Sequence, residues 1–277
     1  MADKAATLRR RAEETRLLAL RALYESGGGH FGGTLSEIDI LTVLYEEILN
    51  IDPRRPGWNE RDIFILSKGH GAFGLSAVLC RRGYFQADLL MRAKSLDAEL
   101  GWHTTAKIPG IDFPTGSLGH GLPVAVGLAL GFRLTGRQSR VFVLLGDGEC
   151  NEGSVWEAAL SASKYGLDSL VAVVDRNHYS MDGPTEEILP LEPLADKWRA
   201  FGWAATEVDG HDIGALMEAF AGLPLSEGRP SVVIARTVKG RGVSFMEGKA
   251  EWHSRAMSTA EMNTVLAEFK KRGITET

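Results

Sequence analysis

The sequence is poor in cysteine, in surplus positive charge and in long apolar runs. Cys80 and Cys150 alone, among 277 residues, cannot make a disulfide framework, and their separation is not that of a metal site. Cys80 lies in an apolar helical stretch and reads as core. Cys150 follows an acidic turn, a position open to exposure, and nothing around it identifies a base that would activate it. A net charge of -5 without any long Lys/Arg run argues against nucleic acid as a partner. No apolar stretch approaches membrane-spanning length, which argues against a membrane. Arg9, Arg10 and Arg11 are not followed by an apolar segment, so the N-terminus does not read as a secretory signal and the cytoplasm is the expected compartment. Linkers, repeats, low-complexity segments and a G-x-x-x-x-G-K-[ST] loop are also missing. Residues 1–277 are therefore expected to form one domain.

What is present is an alternation of helical and strand-like segments. Residues 4–26 read as an amphipathic helix ended by Gly27, Gly28 and Gly29. A second helix is expected over 34–49 with Ser36 as a possible cap, a buried strand over 62–67, and a small-residue helix over 72–82. Residues 97–117 read as a long polar loop. Residues 119–134, apolar nearly all round, predict a buried helix. Strands follow over 141–145, 170–176, 203–208 and 231–237, with helices over 152–165, 194–201, 212–220 and 259–271. Nearly continuous apolar strands alternating with helices predict an α/β fold: a parallel sheet with helices on both faces.

The most informative stretch is Gly146-Asp147-Gly148 together with Asn177. Each acidic or amide residue closes an apolar strand, and a helix lies between the two strands. Parallel strands of one βαβ unit end at the same sheet edge, so Asp147 and Asn177 are expected to meet there. A carboxylate and an amide oxygen suit Mg²⁺, which keeps an oxygen shell and is usually shared with the phosphates of its ligand. Gly148 permits close approach of a phosphate, and the helix N-terminus that follows favours its charge. Either residue alone is as well explained as a cap or turn former. The pair at matched strand ends reads as a Mg²⁺–diphosphate site.

Ligands in such sheets bind outside the carboxyl ends of the strands. Four of the seven histidines, His30, His70, His103 and His253, fall in glycine-flanked loops expected at that edge. His211 reads as part of a turn and helix start, His178 follows Asn177, and His120 is open to either reading. Two G-x-G-x-x-G patterns occur. Gly27 to Gly32 follows a helix and fails the dinucleotide context, whereas Gly69 to Gly74 lies between a strand and a helix, with Asp88 in a segment unlike a strand end.

Taken together these residues resemble the thiamine-diphosphate-binding half of transketolase. The similarity runs in order through Gly29-His30-Phe31-Gly32, Leu66-Ser67-Lys68-Gly69-His70 and Thr115-Gly116-Ser117-Leu118-Gly119-His120-Gly121. It continues through Gly146 to Ala158, Asn177 to Gly183, and Lys239-Gly240-Arg241-Gly242 to Trp252-His253. The resemblance implies the thiamine-diphosphate-binding fold with thiamine diphosphate and Mg²⁺ as cofactors. Asp147, Asn177 and the Tyr179 carbonyl would bind the metal, and His70, Gly148 and His253 the diphosphate. Gly116 and Leu118 would contact the aminopyrimidine, Met181 would wedge the cofactor into a bent form, and Ser117 and Glu149 belong to the same cofactor-binding set. His30, His103 and His253 would face the sugar, and Glu152 would position a glutamate from the partner.

The family's full-length members continue into pyrimidine-binding and C-terminal domains. The expectation is therefore the N-terminal subunit of a split transketolase, moving a two-carbon ketol unit from a ketose to an aldose only with a C-terminal partner subunit, in a heterotetramer of two copies of each. His120 replaces the family's usual glutamine, and Trp102-His103-Thr104-Thr105 departs from the common loop sequence. The alternatives are a deoxyxylulose-phosphate synthase-like or 2-oxoacid-decarboxylating subunit, and a non-catalytic cofactor-binding protein. Gly146 to Gly153 fits transketolase better than the deoxyxylulose type, whose acidic turn is followed by Thr-Gly-Gly.

Overall fold

Five parallel strands, β1 (Ile63–Leu66), β2 (Val141–Gly146), β3 (Leu170–Arg176), β4 (Ala204–Asp209) and β5 (Ser231–Arg236), form one sheet in the order β1-β2-β3-β5-β4. The computed structural model describes residues 2–93 and 98–275. β2 and β3 are neighbours, in register from Val141 opposite Leu170 to Gly146 opposite Asp175. Side chains alternate across the pleat, so each strand feeds two cores. Phe142, Leu144, Val171, Val173 and Val233 enter one, and Val143, Leu145, Ala172, Val174 and Ile234 the other.

Helices cover both faces. In chain order they are α1 (Ala2–Glu25), α2 (Phe31–Ser36), α3 (Ile38–Val43), α4 (Ala72–Arg81), α5 (Ala87–Met91), α6 (Gly121–Thr135), α7 (Gly153–Lys164), α8 (Thr185–Ile188), α9 (Leu194–Ala200), α10 (Ile213–Ala221) and α11 (Thr259–Lys271). α1, α3, α4, α10 and α11 bury residues in the first core, and α6, α7 and α9 in the second. α11 opens on a capping box in which Ser258 and Glu261 satisfy each other's backbone N–H groups, and Asp212 caps α10 by accepting from Gly214 and Ala215. Among the described residues no helix is long and apolar enough to cross a membrane.

Several expectations need correction. The helix predicted over 34–49 begins earlier, at Phe31, and is divided at Glu37 before ending in a wide turn over Leu44–Ile48. Ser36 is not its cap but a buried residue that donates to Asp175 of β3 at 2.6 Å. α6 is apolar yet not enclosed: Leu122, Ala125, Val126 and Ala129 face the sheet, while Leu134 is 79% exposed. Only one side of a helix can lie on a sheet, whatever its composition. β4 is an edge strand and is partly exposed rather than a continuous buried run. Cys150 is buried, its sulfur 3.6 Å from the Gly146 carbonyl, and burial pushes its thiol well up; burial likewise raises the half-buried Cys80. The loop expected over 97–117 is irregular from 98 onward, and residue 97 lies outside the described residues.

Candidate active site

The adjacency of β2 and β3 brings Asp147 and Asn177 to one edge. Asp147 Oδ2 accepts the His178 N–H at 2.6 Å and Arg176 Nη1 at 3.0 Å, and Oδ1 accepts the Gly148 N–H at 2.8 Å. Burial, then the nearby charge of Asp175, push the Asp147 carboxyl up to about 6 against the pull of Arg176. Asn177 Oδ1 accepts the Tyr179 N–H at 3.1 Å, and its amide donates to Ser36 Oγ at 3.3 Å. Each carboxylate or amide oxygen carries more than one lone pair, so these bonds leave acceptor capacity on both side chains.

Directly behind this edge lies a buried charge cluster. Lys68 Nζ donates to the Gly33 carbonyl at 2.7 Å and to Asp175, and lies 3.1 Å from Glu37 Oε2. Asp175 also accepts from Ser36 and Thr237. Burial opposes ionisation of Asp175, yet Lys68 holds its carboxyl below the usual value. Glu37 fares differently: burial pushes it up to about 8 in spite of Lys68. Its carboxyl group occupies space left by two glycines. A Cβ on Gly71 would strike Glu37, and one on Gly74 would lie 2.5 Å from Oε1. A Cβ on Gly69 would meet Thr115 at 2.6 Å. The G-x-G-x-x-G pattern of this segment is thus accounted for by packing.

The four loop histidines converge. His30 has ring-centroid separations of 5.5 Å from His70, 5.8 Å from His103 and 5.6 Å from His253, and His70 lies 5.3 Å from His253. Trp102 packs edge-on against His30 at 5.7 Å. Burial and the nearby cations hold His70 well below its usual pKa and bring His253 down to about 3, so both rings are neutral at neutral pH. Lys239 enters the same pocket. Its ammonium donates to the Ser180 carbonyl and to His253 Nδ1, each at 2.8 Å. With an ammonium as donor, His253 Nδ1 is the acceptor and its ring proton sits on Nε2. Burial pushes Lys239 down to about 8, and it has no ion pair among the described residues. Neutral imidazoles near working pH can donate to a developing alkoxide or accept a hydroxyl proton.

The remaining expected residues divide. Gly116 lies against the His103 ring, where a Cβ would be 3.4 Å from Cδ2. Ser117 is exposed and Leu118 half-buried, its carbonyl 3.0 Å from His120 Nδ1. Met181 is 66% exposed beside the metal-side turn. Glu152 is exposed at the start of α7, with its stem packed under Gly119. Glu149 departs from expectation: it is buried and turned inward, accepting from Ser67, Gly119 at 2.9 Å and Gly146 at 3.0 Å. Its two oxygens pin the loops that carry the site. His178 adopts φ 70° and enters through its backbone N–H.

Sequence reasoning missed Lys68, Glu37, Arg176 and Lys239 as individuals. Arg176, although buried, binds Asp147, Thr185, Glu186 and Glu192 at once. The available signal was position: Lys68, Arg176 and Lys239 each sit at or just beyond the end of β1, β3 or β5, where charge in an apolar run needs a partner.

Comparison with known proteins identifies the family. The family model described as "Transketolase, thiamine diphosphate binding domain" matches residues 7–272. The chain is 40% identical over 274 residues to the 6-deoxy-6-sulfo-D-fructose transketolase subunit of Clostridium sp. (strain MSTE9), covering 99% of this chain and 100% of that one. It is 45% identical over 244 residues to one of the apulose-4-phosphate transketolase subunits of Actinobacillus succinogenes, covering 88% of each. Among solved structures, the transketolase of Leishmania mexicana superposes with a TM-score of 0.88 at 28% identity, covering 95% of this chain and 41% of that chain. The chain therefore spans about two-fifths of that solved transketolase.

Proposed function

The chain belongs to the transketolase family as a thiamine-diphosphate-binding domain, and from that premise we propose that it is the N-terminal subunit of a two-chain transketolase. With Mg²⁺ and thiamine diphosphate it transfers a two-carbon ketol unit from a ketose to an aldose. The observation that carries this reading is the convergence of His30, His70, His103 and His253 on a pocket that also holds Lys239.

The residues present fit the cofactor. Asp147, Asn177 and the Tyr179 carbonyl offer the oxygen donors that Mg²⁺ prefers. Lys239 is a buried cation with no carboxylate bound to it among the described residues, which suits a diphosphate. His70, His253 and the close-approach position at Gly148 complete that anion site, and Gly116, Ser117, Leu118 and Met181 line the way to the rest of the cofactor. When bound, thiamine diphosphate supplies the carbon nucleophile and the electron sink that ketol transfer needs. His30 and His103 donate to the sugar oxygens and take up the hydroxyl proton released as the carbon–carbon bond breaks. His253, with its proton on Nε2, acts beside them.

A partner chain completes the site in this reading. Trp102, Met181 and Ile188, respectively 46%, 66% and 51% exposed, leave apolar surface beside the polar pocket. A C-terminal subunit with pyrimidine-binding and C-terminal domains would cover it and bring the glutamate that Glu152 positions, in an assembly of two copies of each chain. The two relatives named as subunits support such a division. The test is reconstitution: the isolated chain should show no ketol transfer, and activity should appear on adding the partner with Mg²⁺ and thiamine diphosphate. Turnover by the isolated chain would overturn the two-chain reading.

A further inference from the structure

The turn Asp209-Gly210-His211-Asp212 touches none of the residues assigned above, yet it lies flush against the segment that delivers Lys239. β4 and β5 are paired with Asp209 opposite Arg236. The Gly210 N–H donates to the Arg236 carbonyl at 2.7 Å, and a Cβ on Gly210 would strike Thr237. Asp209 accepts the His211 N–H at 2.9 Å, and Asp212 caps α10. Three of the four residues thus shape the turn, and the fourth is held by them against the exit of β5.

The His211 side chain makes two bonds of fixed polarity. Nε2 accepts the Val238 N–H at 2.8 Å, and Nδ1 lies 2.7 Å from Asp39 Oδ2. A backbone N–H only donates, so Nε2 is unprotonated and Nδ1 carries the proton toward Asp39. Asp39 Oδ2 is in turn held by Arg16 Nη2 at 2.7 Å. Arg16, on α1, is fully buried. Val238 immediately precedes Lys239. A chain of contacts therefore runs from α1 through Asp39 and His211 to the backbone from which Lys239 reaches Ser180 and His253.

We propose that His211 is a positioning residue for the cofactor site: by anchoring the Val238 N–H it fixes the reach of Lys239 toward the diphosphate. This rests on the reading of Lys239 as a diphosphate ligand. Two isosteres separate the two bonds of the ring. His211→Gln keeps an acceptor for Val238 and loses the donor to Asp39, whereas His211→Asn keeps the donor and loses the acceptor.

The experiment measures the affinity of the reconstituted two-chain protein for thiamine diphosphate with Mg²⁺ by calorimetry, alongside circular dichroism and Tm. His211→Asn is expected to weaken binding about tenfold, the size of one lost buried hydrogen bond, and His211→Gln to stay within about twofold of the parent. In a Lys239→Met background, which is itself expected to bind about tenfold more weakly, His211→Asn should cost nothing further, because the two act in series. Additive losses in the double variant, or a folded Gln variant that binds as weakly as the Asn variant, would overturn the proposal. So would unchanged affinity in folded His211→Asn. If Lys239→Met binds as the parent does, it is the diphosphate assignment of Lys239 that fails, a result distinct from the others. If the Asn variant does not fold, a folded His211→Gln variant that binds more than about twofold more weakly than the parent still overturns the proposal.

Discussion

Asp147 accepts the backbone N–H of His178 at 2.6 Å, so the residue that closes β2 is bonded to the turn that follows β3. The two halves of the proposed metal site are thereby locked together through the protein itself. His178 reaches this bond with φ 70°, in the left-handed region that disfavours most side chains. The same carboxylate takes Arg176 from below. The site is held in shape by the chain and leaves little rearrangement to a ligand.

Replacing Asp147 tests that preorganisation. Asp147→Ala is expected to weaken Mg²⁺-dependent binding of thiamine diphosphate by at least about a hundredfold, since it removes a proposed metal oxygen and the link to His178 together. Arg176 keeps Glu186 and Glu192 as partners, so the variant should stay folded. Calorimetry with and without Mg²⁺, beside a circular dichroism melt, checks both halves; unchanged affinity would remove Asp147 from the site.

Gly32 should be intolerant of a single methyl group. A Cβ there would lie 2.7 Å from Lys239 Cγ and 2.8 Å from Cε. Gly32→Ala is expected to push the lysine stem aside and lower cofactor affinity about tenfold with little change in secondary structure, the loss of one charge-assisted contact. Equal affinities for parent and variant would show that the lysine does not need its present path.

Glu37 predicts a pH dependence of stability. Its folded pKa, about 8, stands above the ordinary 4.5, so the folded chain holds a proton that the unfolded chain has released. The contribution is complete below about 4.5 and is lost as pH rises toward 8. Glu37→Gln, which keeps the shape without the titration, should remove this part of the decline. Tm measured from pH 5 to 8.5 for both proteins is the check, and parallel curves would rule out Glu37 as its origin.

Thiol labelling tests the packing of β2's exit. Cys150 is buried and its thiol raised, so it should resist iodoacetamide in the native protein and react after denaturation. Rapid native labelling at Cys150, read by peptide mass spectrometry, would mean that the acidic turn opens.

How much of this was legible in the sequence follows from where each residue's partners lie. The strands, the Asp147 and Asn177 turns, the four loop histidines and the capped helices are signalled by neighbours a few residues away. Lys68, Glu37, Asp39 and Arg16 are not. Lys68 finds its acceptors 35 and 107 residues along the chain, and Asp39 meets His211 across 172. The local sequence shows at most that such a charge needs a partner, and only the assembled sheet reveals which one. Glu149 is a related case: the resemblance implies a place in the cofactor-binding set, whereas Ser67 and Gly119 occupy its oxygens from other loops. The uncovered side of α6 was hidden because composition does not say how many layers lie over a helix.

The hollow around Glu37 carries an implication for how this sequence can drift. Positions 71 and 74 stay without side chains because the Glu37 carboxyl group fills the room they vacate. A shortened position 37 relieves the contact at 71, whereas at 74 the Thr34 carbonyl still stands 3.1 Å from a Cβ, and it leaves the Lys68 ammonium to Asp175 and the Gly33 carbonyl alone. Positions 37 and 71 are therefore expected to change in concert, so that a scan varying position 71 alone understates what the pair together would accept.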